Sequence, residues 1–250
     1  MLILLYAIEK TMPPSIPQPR IHAIPTHIIF GFLGAGKTTL LNQLLAQKPA
    51  HETWAVLMNE AGKTEVDDGF LAPAKQSENT HVGRVAIKQL ISGCMCCTGQ
   101  VSMQVALSRL LLQTKPDRLF IEATGLGHPA QLIRQLSSTY WATALSLQAV
   151  LTVIDATNLH DARLLNHEIF QAQVSNADLI VLSHSDVMQP KDDAALQNLL
   201  KQEYYKHQSV LQADHGNLLF EKINLPHQVK TERQQISYVK IDDSFSPSIT

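Results

Sequence analysis

The chain has 250 residues, 45% of them apolar, enough for one large domain or one and a half ordinary ones. Its 20 Lys and Arg are balanced by 22 Asp and Glu, leaving a formal net charge of -2 with no charged block. That balance excludes polyanion binding driven by electrostatics, so neither a nucleic-acid nor a membrane-surface partner is expected.

The opening MLILLYAIEK is too short for a spanning helix and carries neither a basic start nor a small-residue cleavage site, so a cytoplasmic protein is expected. Prolines at 13, 14, 17, 19 and 25 remove amide donors and favour extended backbone, so residues 1–25 are expected to form a disordered leader outside the fold. From Thr26 the pattern becomes periodic. THIIFGFLGAGKTTLLNQLLAQ runs from β-branched residues through glycines into Leu40, Leu41, Leu44 and Leu45 at helical spacing, which predicts strand, loop, helix. Gly31, Gly34, Ala35, Gly36, Lys37, Thr38 and Thr39 lie in or beside a G-x-x-x-x-G-K-[ST] loop placed between that strand and helix. In such a loop successive amides wrap a β-phosphate at the helix N-terminus, the lysine balances β and γ charge, and the threonine hydroxyl ligates magnesium.

Further apolar runs follow at 54–59, 85–91, 118–125, 149–156, 177–183 and 209–213, without the strict alternation of a one-sided sheet. Between them, 100–114, 128–138, 163–175 and 190–205 have the length and pattern of helices. The prediction is an α/β domain over residues 26–222: a P-loop NTPase fold with an open, mostly parallel sheet and helices on both faces. Residues 223–250 are expected to form a C-terminal tail or the remnant of a second domain, whose first strand QQISYVKIDD would begin.

Four sites of chemistry are superposed on this frame. All three cysteines, Cys94, Cys96 and Cys97, sit in LISGCMCCTGQ, just after the run at 85–91. Three soft thiolates turned by Gly93 can converge on one zinc ion, whereas packing cysteines would be scattered and secreted disulfides spread along the chain. Adjacent thiolates also oxidise readily, so a redox switch is the competing use. Glu122, ending RLFIE, is placed to serve as the second magnesium carboxylate, with Gly125 close enough to meet the γ-phosphate; Asp155 ends a similar run and either joins them or caps a loop. In VLSHSD, Asp186 occupies the slot where an [NT]-K-x-D element accepts from guanine, Ser183 offers a hydroxyl, and His184 replaces the lysine. Guanine preference is thus expected but weakened, and ADHGNLLFE at 213–221 is expected to close over the base. Of the histidines, His128 in GLGHP is the one to follow as an extra metal ligand.

The order GFLGAGKTTLLN, NEAG followed by VDDG, SGCMCC, IEATGLGHP and Asp186 resembles the CobW-like GTPases, a metallochaperone group related to the urease and hydrogenase nickel-insertion GTPases. The resemblance implies GTP, Mg2+ and Zn2+ as ligands, with Co2+ or Ni2+ in some members, slow hydrolysis, and metal transfer to a client protein. It also implies that Asp67 is a switch residue near magnesium and Glu60 a carboxylate near the metal loop, and it is compatible with a homodimer. Such GTPases continue into a second α/β domain, which is expected to be absent or truncated here. A zinc-binding or thiol redox sensor whose metal affinity is modulated by nucleotide, without productive hydrolysis, is the alternative. A P-loop kinase would need lid arginines, and no Arg-rich insert is visible.

Overall fold

The computed structural model describes residues 23–59, 84–90, 100–125, 127–202, 209–213 and 217–228. Among them seven strands form one sheet: β1 (Ile24–Phe30), β2 (Trp54–Asn59), β3 (Val85–Leu90), β4 (Arg118–Glu122), β5 (Leu145–Asp155), β6 (Leu179–Ser183) and β7 (Ser209–Ala213). Their order is β3-β2-β4-β1-β5-β6-β7, and every neighbouring pair is parallel. β1 is thus central, and the connection leaving its carboxyl end opens where the strand order reverses, the usual ligand crevice of an open α/β sheet.

Helices cover both faces, as the unalternating runs require. Ile28 and Phe30 point toward Met103 and Leu107 of α2 (Gln100–Thr114) and Leu132, Ile133 and Leu136 of α3 (Pro129–Leu136). Ile29, between them, points the other way, toward Leu40, Leu41 and Leu44 of α1 (Lys37–Ala46). Phe170 and Val174 of α5 (Glu168–Asn176) and Leu196 and Leu199 of α6 (Pro190–Lys201) bury Ile154, Ile180 and Leu182 in a third cluster. The large aliphatic residues of the central strands therefore lose their water on one face or the other, worth about 1.5–3 kcal/mol for each one fully buried.

The expected elements are present, with local differences. β1 begins at Ile24, so the fold starts before the expected boundary at 26. The helix expected at 163–175 is two: Asp161 caps α4 (Ala162–Leu165) and His167 caps α5, and each side chain accepts the amide two residues on. The fold also continues past 222. Residues 223–228, expected as tail, lie along the amino-terminal half of β5, where the Ala149 N–H donates to Leu225 O at 2.6 Å and Gln148 bridges Pro226 antiparallel. Asp178, before β6, accepts the Val150 N–H (2.8 Å) and the Gln228 N–H (3.1 Å) and lies 2.7 Å from His227 Nδ1.

The amino ends of the strands carry a polar cluster. His27 of β1 is fully buried, stacked on Phe120 at 5.1 Å, with Nε2 3.0 Å from an Arg118 guanidinium nitrogen. Arg118 in turn lies 4.5 Å over the Phe220 ring. Burial, aided by the Arg118 charge, lowers the His27 pKa to about 3, so the imidazole is neutral in the folded chain. No helix among the described residues is long and apolar enough to cross a membrane.

Candidate functional site

Two glycines in the β1–α1 loop are required by what surrounds them. At Gly31 (φ 144) a Cβ would stand 2.5 Å from the Val153 carbonyl oxygen, so only glycine lets β5 pass this close. Gly36 (φ 90) turns the chain into α1 in the left-handed region, and a Cβ there would meet the Ser183 Cβ at 3.3 Å. Having no side chain, Gly36 caps nothing, and the first turn of α1 contains no acidic residue. No cap side chain and no first-turn carboxylate competes with an anion at the start of this ten-residue helix. Lys37 is buried at that terminus and its Nζ donates to Phe32 O at 3.0 Å.

Glu122 comes to the same place from the end of β4. The Thr38 hydroxyl donates to its Oε1 at 2.9 Å, across 84 residues of sequence, and Glu122 is itself buried. A hydroxyl and a carboxylate at a helix N-terminus form a hard-oxygen donor pair of the kind Mg2+ takes. Gly125 follows, packed so tightly on the loop that a Cβ would lie 2.9 Å from the Leu33 nitrogen.

On the other side of β1 the ends of β5 and β6 face the loop. The Ser183 hydroxyl, expected as a base contact, donates to Ala35 O at 2.7 Å and holds the glycine loop from beneath. His184 takes a left-handed conformation (φ 52), with Nδ1 3.3 Å from Ser183 Oγ and 3.4 Å from Asp155 Oδ1. Asp155 acts as a cap: its carboxylate accepts the Thr157 N–H and hydroxyl at 2.9 and 2.7 Å and the Asn158 amide at 2.9 Å. Of the two roles open to it in the sequence, loop orientation is the one its hydrogen bonds support. Asp186 is exposed in the short 3-10 turn Ser185–Val187, one strand beyond β5 on the same end of the sheet.

Of the expected base-covering segment 213–221, the described residues 217–221 pack away from the phosphate loop. Leu218 O accepts from Gln47 Nε2 (2.8 Å) and the Phe220 N–H donates to Gln47 Oε1 (2.9 Å), at the far end of α1. Phe220 then packs on Trp54 and Arg118 at the strands' amino ends, which fixes the later part of the segment there. Cys94, Cys96, Cys97, Glu60 and Asp67 lie outside the described residues, as do residues 214–216. His128 is exposed at the N-cap of α3, and among the described residues no three His, Cys, Asp or Glu side chains group as a metal site. One buried polar residue had no visible signal in the sequence: Gln173 of α5, fully buried, with Nε2 3.0 Å from Gly125 O. A glutamine inside a helix ordinarily reads as surface.

Central strand, glycine loop, buried lysine and the Thr38–Glu122 pair define a P-loop nucleotide-binding domain of the α/β class. The chain belongs to the CobW/HypB/UreG nucleotide-binding domain family, whose model matches residues 25–211. It is 39% identical over 201 residues to the zinc chaperone YeiR of Escherichia coli (80% of this chain, 58% of that protein). It is 29% identical over 230 residues to the zinc chaperone CobW of Pseudomonas aeruginosa (82% and 60%). The chain thus spans about three fifths of the length of these curated relatives. Among solved structures, the Zn(II)-bound YjiA GTPase of E. coli superposes with a TM-score of 0.56 at 23% identity, covering 84% of this chain and 67% of that one. HypB from Helicobacter pylori in complex with nickel gives 0.53 at 16%, covering 84% and 92%; both likenesses establish the fold.

Proposed function

We propose that this chain is a GTP hydrolase that couples nucleotide state to the handling of zinc, held by Cys94, Cys96 and Cys97 and passed to a client protein. The observation that carries this reading is the register of the sheet. Met58 pairs with Glu122, and Asn59, the next residue, pairs with Leu90. The segments bearing Glu60 and Asp67, and then the three cysteines, therefore leave the sheet within one residue of the level of Glu122. Neighbouring strands lie about 4.8 Å apart. The Glu60 and Asp67 segment thus departs one strand from the proposed magnesium carboxylate and the cysteine segment two strands away, about 5 and 10 Å across the sheet.

In this mechanism the amides at the start of α1 bind the phosphates, and the Lys37 ammonium, leaving Phe32 O, compensates β and γ charge. Thr38 and Glu122 fit Mg2+ by donor type, and that ion when bound neutralises charge developing on the phosphates. Asp186 accepts from the base, and His184 stands where a lysine stem would pack. Asp67, as a switch residue, and Gly125 respond to the third phosphate, and their ordering changes the exposure of the thiolates. Zinc is cargo: three soft donors within four residues hold it, and their relaxation after hydrolysis releases it. The names of the relatives, zinc chaperones and a zinc-regulated GTPase metalloprotein activator from Schizosaccharomyces pombe, support zinc over cobalt or nickel.

The test is GTP and ATP hydrolysis by anaerobically purified protein, with and without one equivalent of zinc, beside a variant carrying Cys94→Ser, Cys96→Ser and Cys97→Ser together. Expected is turnover of GTP in preference to ATP, accelerated by zinc only when the thiols are present. Turnover indifferent both to zinc and to the cysteines would overturn the coupling and leave the thiols as a separate sensor.

A further inference from the structure

The buried glutamine of α5 has no part in the mechanism above, yet its contacts all lead to the nucleotide loops. Gln173 is fully buried, a position that strips a primary amide of water on every side. Its backbone is fixed to β5, since the Thr152 hydroxyl donates to Gln173 O at 2.7 Å. Thr152 immediately precedes Val153, whose carbonyl abuts Gly31. Its side chain reaches the other way: Nε2 donates to Gly125 O at 3.0 Å and, more weakly, to Gly127 O at 3.5 Å. Two carbonyl acceptors on one nitrogen fix which end of the amide faces the turn. Its Oε1 meets no donor among the described residues.

The turn held in this way lies against the phosphate loop, with room for no more than a hydrogen at the Gly125 Cα facing Leu33. A closed turn, the Gly127 N–H donating to Thr124 O at 3.0 Å, means that moving Gly125 moves the residues following Glu122 with it. We propose that Gln173 is a positioning residue for this turn: its amide sets the height of Gly125 over the P-loop, and its Oε1 accepts an N–H when Gly125 shifts onto a third phosphate. The proposal rests on the nucleotide reading above. It adds that discrimination between tri- and diphosphate is set from α5, on the β5 side of the site, as well as by the switch segments.

The test replaces Gln173 by Met, which keeps the length and removes donor and acceptor. Affinities for GDP and for a non-hydrolysable GTP analogue are measured by calorimetry, with single-turnover hydrolysis alongside. Expected are GDP affinity within about twofold of the unmodified protein, analogue affinity lower by about tenfold, and hydrolysis slower by about tenfold or more, the loss of one buried hydrogen bond in the triphosphate state. Gln173→Asn, which withdraws the amide by one methylene, is expected to shift the same ratio and serves if the Met variant does not fold. Thr152→Val, which loosens the helix while keeping the amide, is expected to lower the unfolding midpoint without moving the ratio. If both nucleotides weaken equally in the Gln173 variants, or neither does, Gln173 is only a packing residue. If the unmodified chain binds no guanine nucleotide, the nucleotide reading falls as well.

Discussion

Acid should destabilise this fold through His27, and the size of the effect follows from its surroundings. In the unfolded chain an imidazole takes up its proton near pH 6.5, but in the folded chain burial and Arg118 hold the pKa at about 3. The folded pKa is the lower one, so the contribution of His27 is complete above pH 6.5 and is lost progressively as pH falls toward 3. At pH 5 the unfolded state has gained about 1.5 units of protonation free energy that the folded state cannot match. At 1.36 kcal/mol per unit that is about 2 kcal/mol lost between pH 7 and pH 5. His27→Phe removes the titration while keeping an aromatic ring beside Phe120. It also leaves Arg118 without its nitrogen acceptor, so the variant is expected to be weaker at neutral pH, and the comparison is of slopes. Urea unfolding at pH 7, 6 and 5 should show the unmodified chain losing about 2 kcal/mol more than the variant across that range. Asp192, whose carboxyl is held low by the Gln189 N–H and by His160, loses its contribution only below its ordinary range and leaves this window clear. Equal losses in the two proteins would refute the assignment of a buried neutral imidazole.

Two further outcomes follow from contacts at opposite ends of the sheet. Gly31→Ala forces a methyl into the Val153 carbonyl and a left-handed φ onto alanine, expected to cost about 2–5 kcal/mol in denaturant unfolding and to abolish GDP binding. Asp178→Ala leaves the Val150 and Gln228 amides and His227 without their shared acceptor, expected to cost about 2–4 kcal/mol and to expose residues 223–228 to limited proteolysis.

What could be read from the chain alone was whatever is encoded locally. Most strands are short, largely apolar runs, and the phosphate loop is a contiguous motif whose glycines, lysine and threonine fall within eight positions. Glu122 was readable because it ends such a run. β5 begins before the expected 149 because Ser146 and Gln148 look like loop residues until the Pro226 segment lies against them. Asp155 and Ser183 stand where a ligand contact was expected, but the residues that claim them are Thr157 and Ala35, and one of those is 148 positions away. Gln173 and Gln47 were invisible for the same reason: an amide in a helix acquires meaning only from the distant carbonyl it meets.

The Ser183 to Ala35 hydrogen bond has a consequence for how a ligand would be received. It fastens the summit of the β1–α1 loop to a strand two places along the sheet, while the Ala35 N–H donates back to Phe32 O at 3.1 Å and Lys37 closes on the same oxygen. The Phe32 and Ala35 carbonyls of the loop are thus engaged before any phosphate arrives. The entropy of shaping the cradle is given up when the chain folds, so it is not subtracted again from the affinity for the nucleotide.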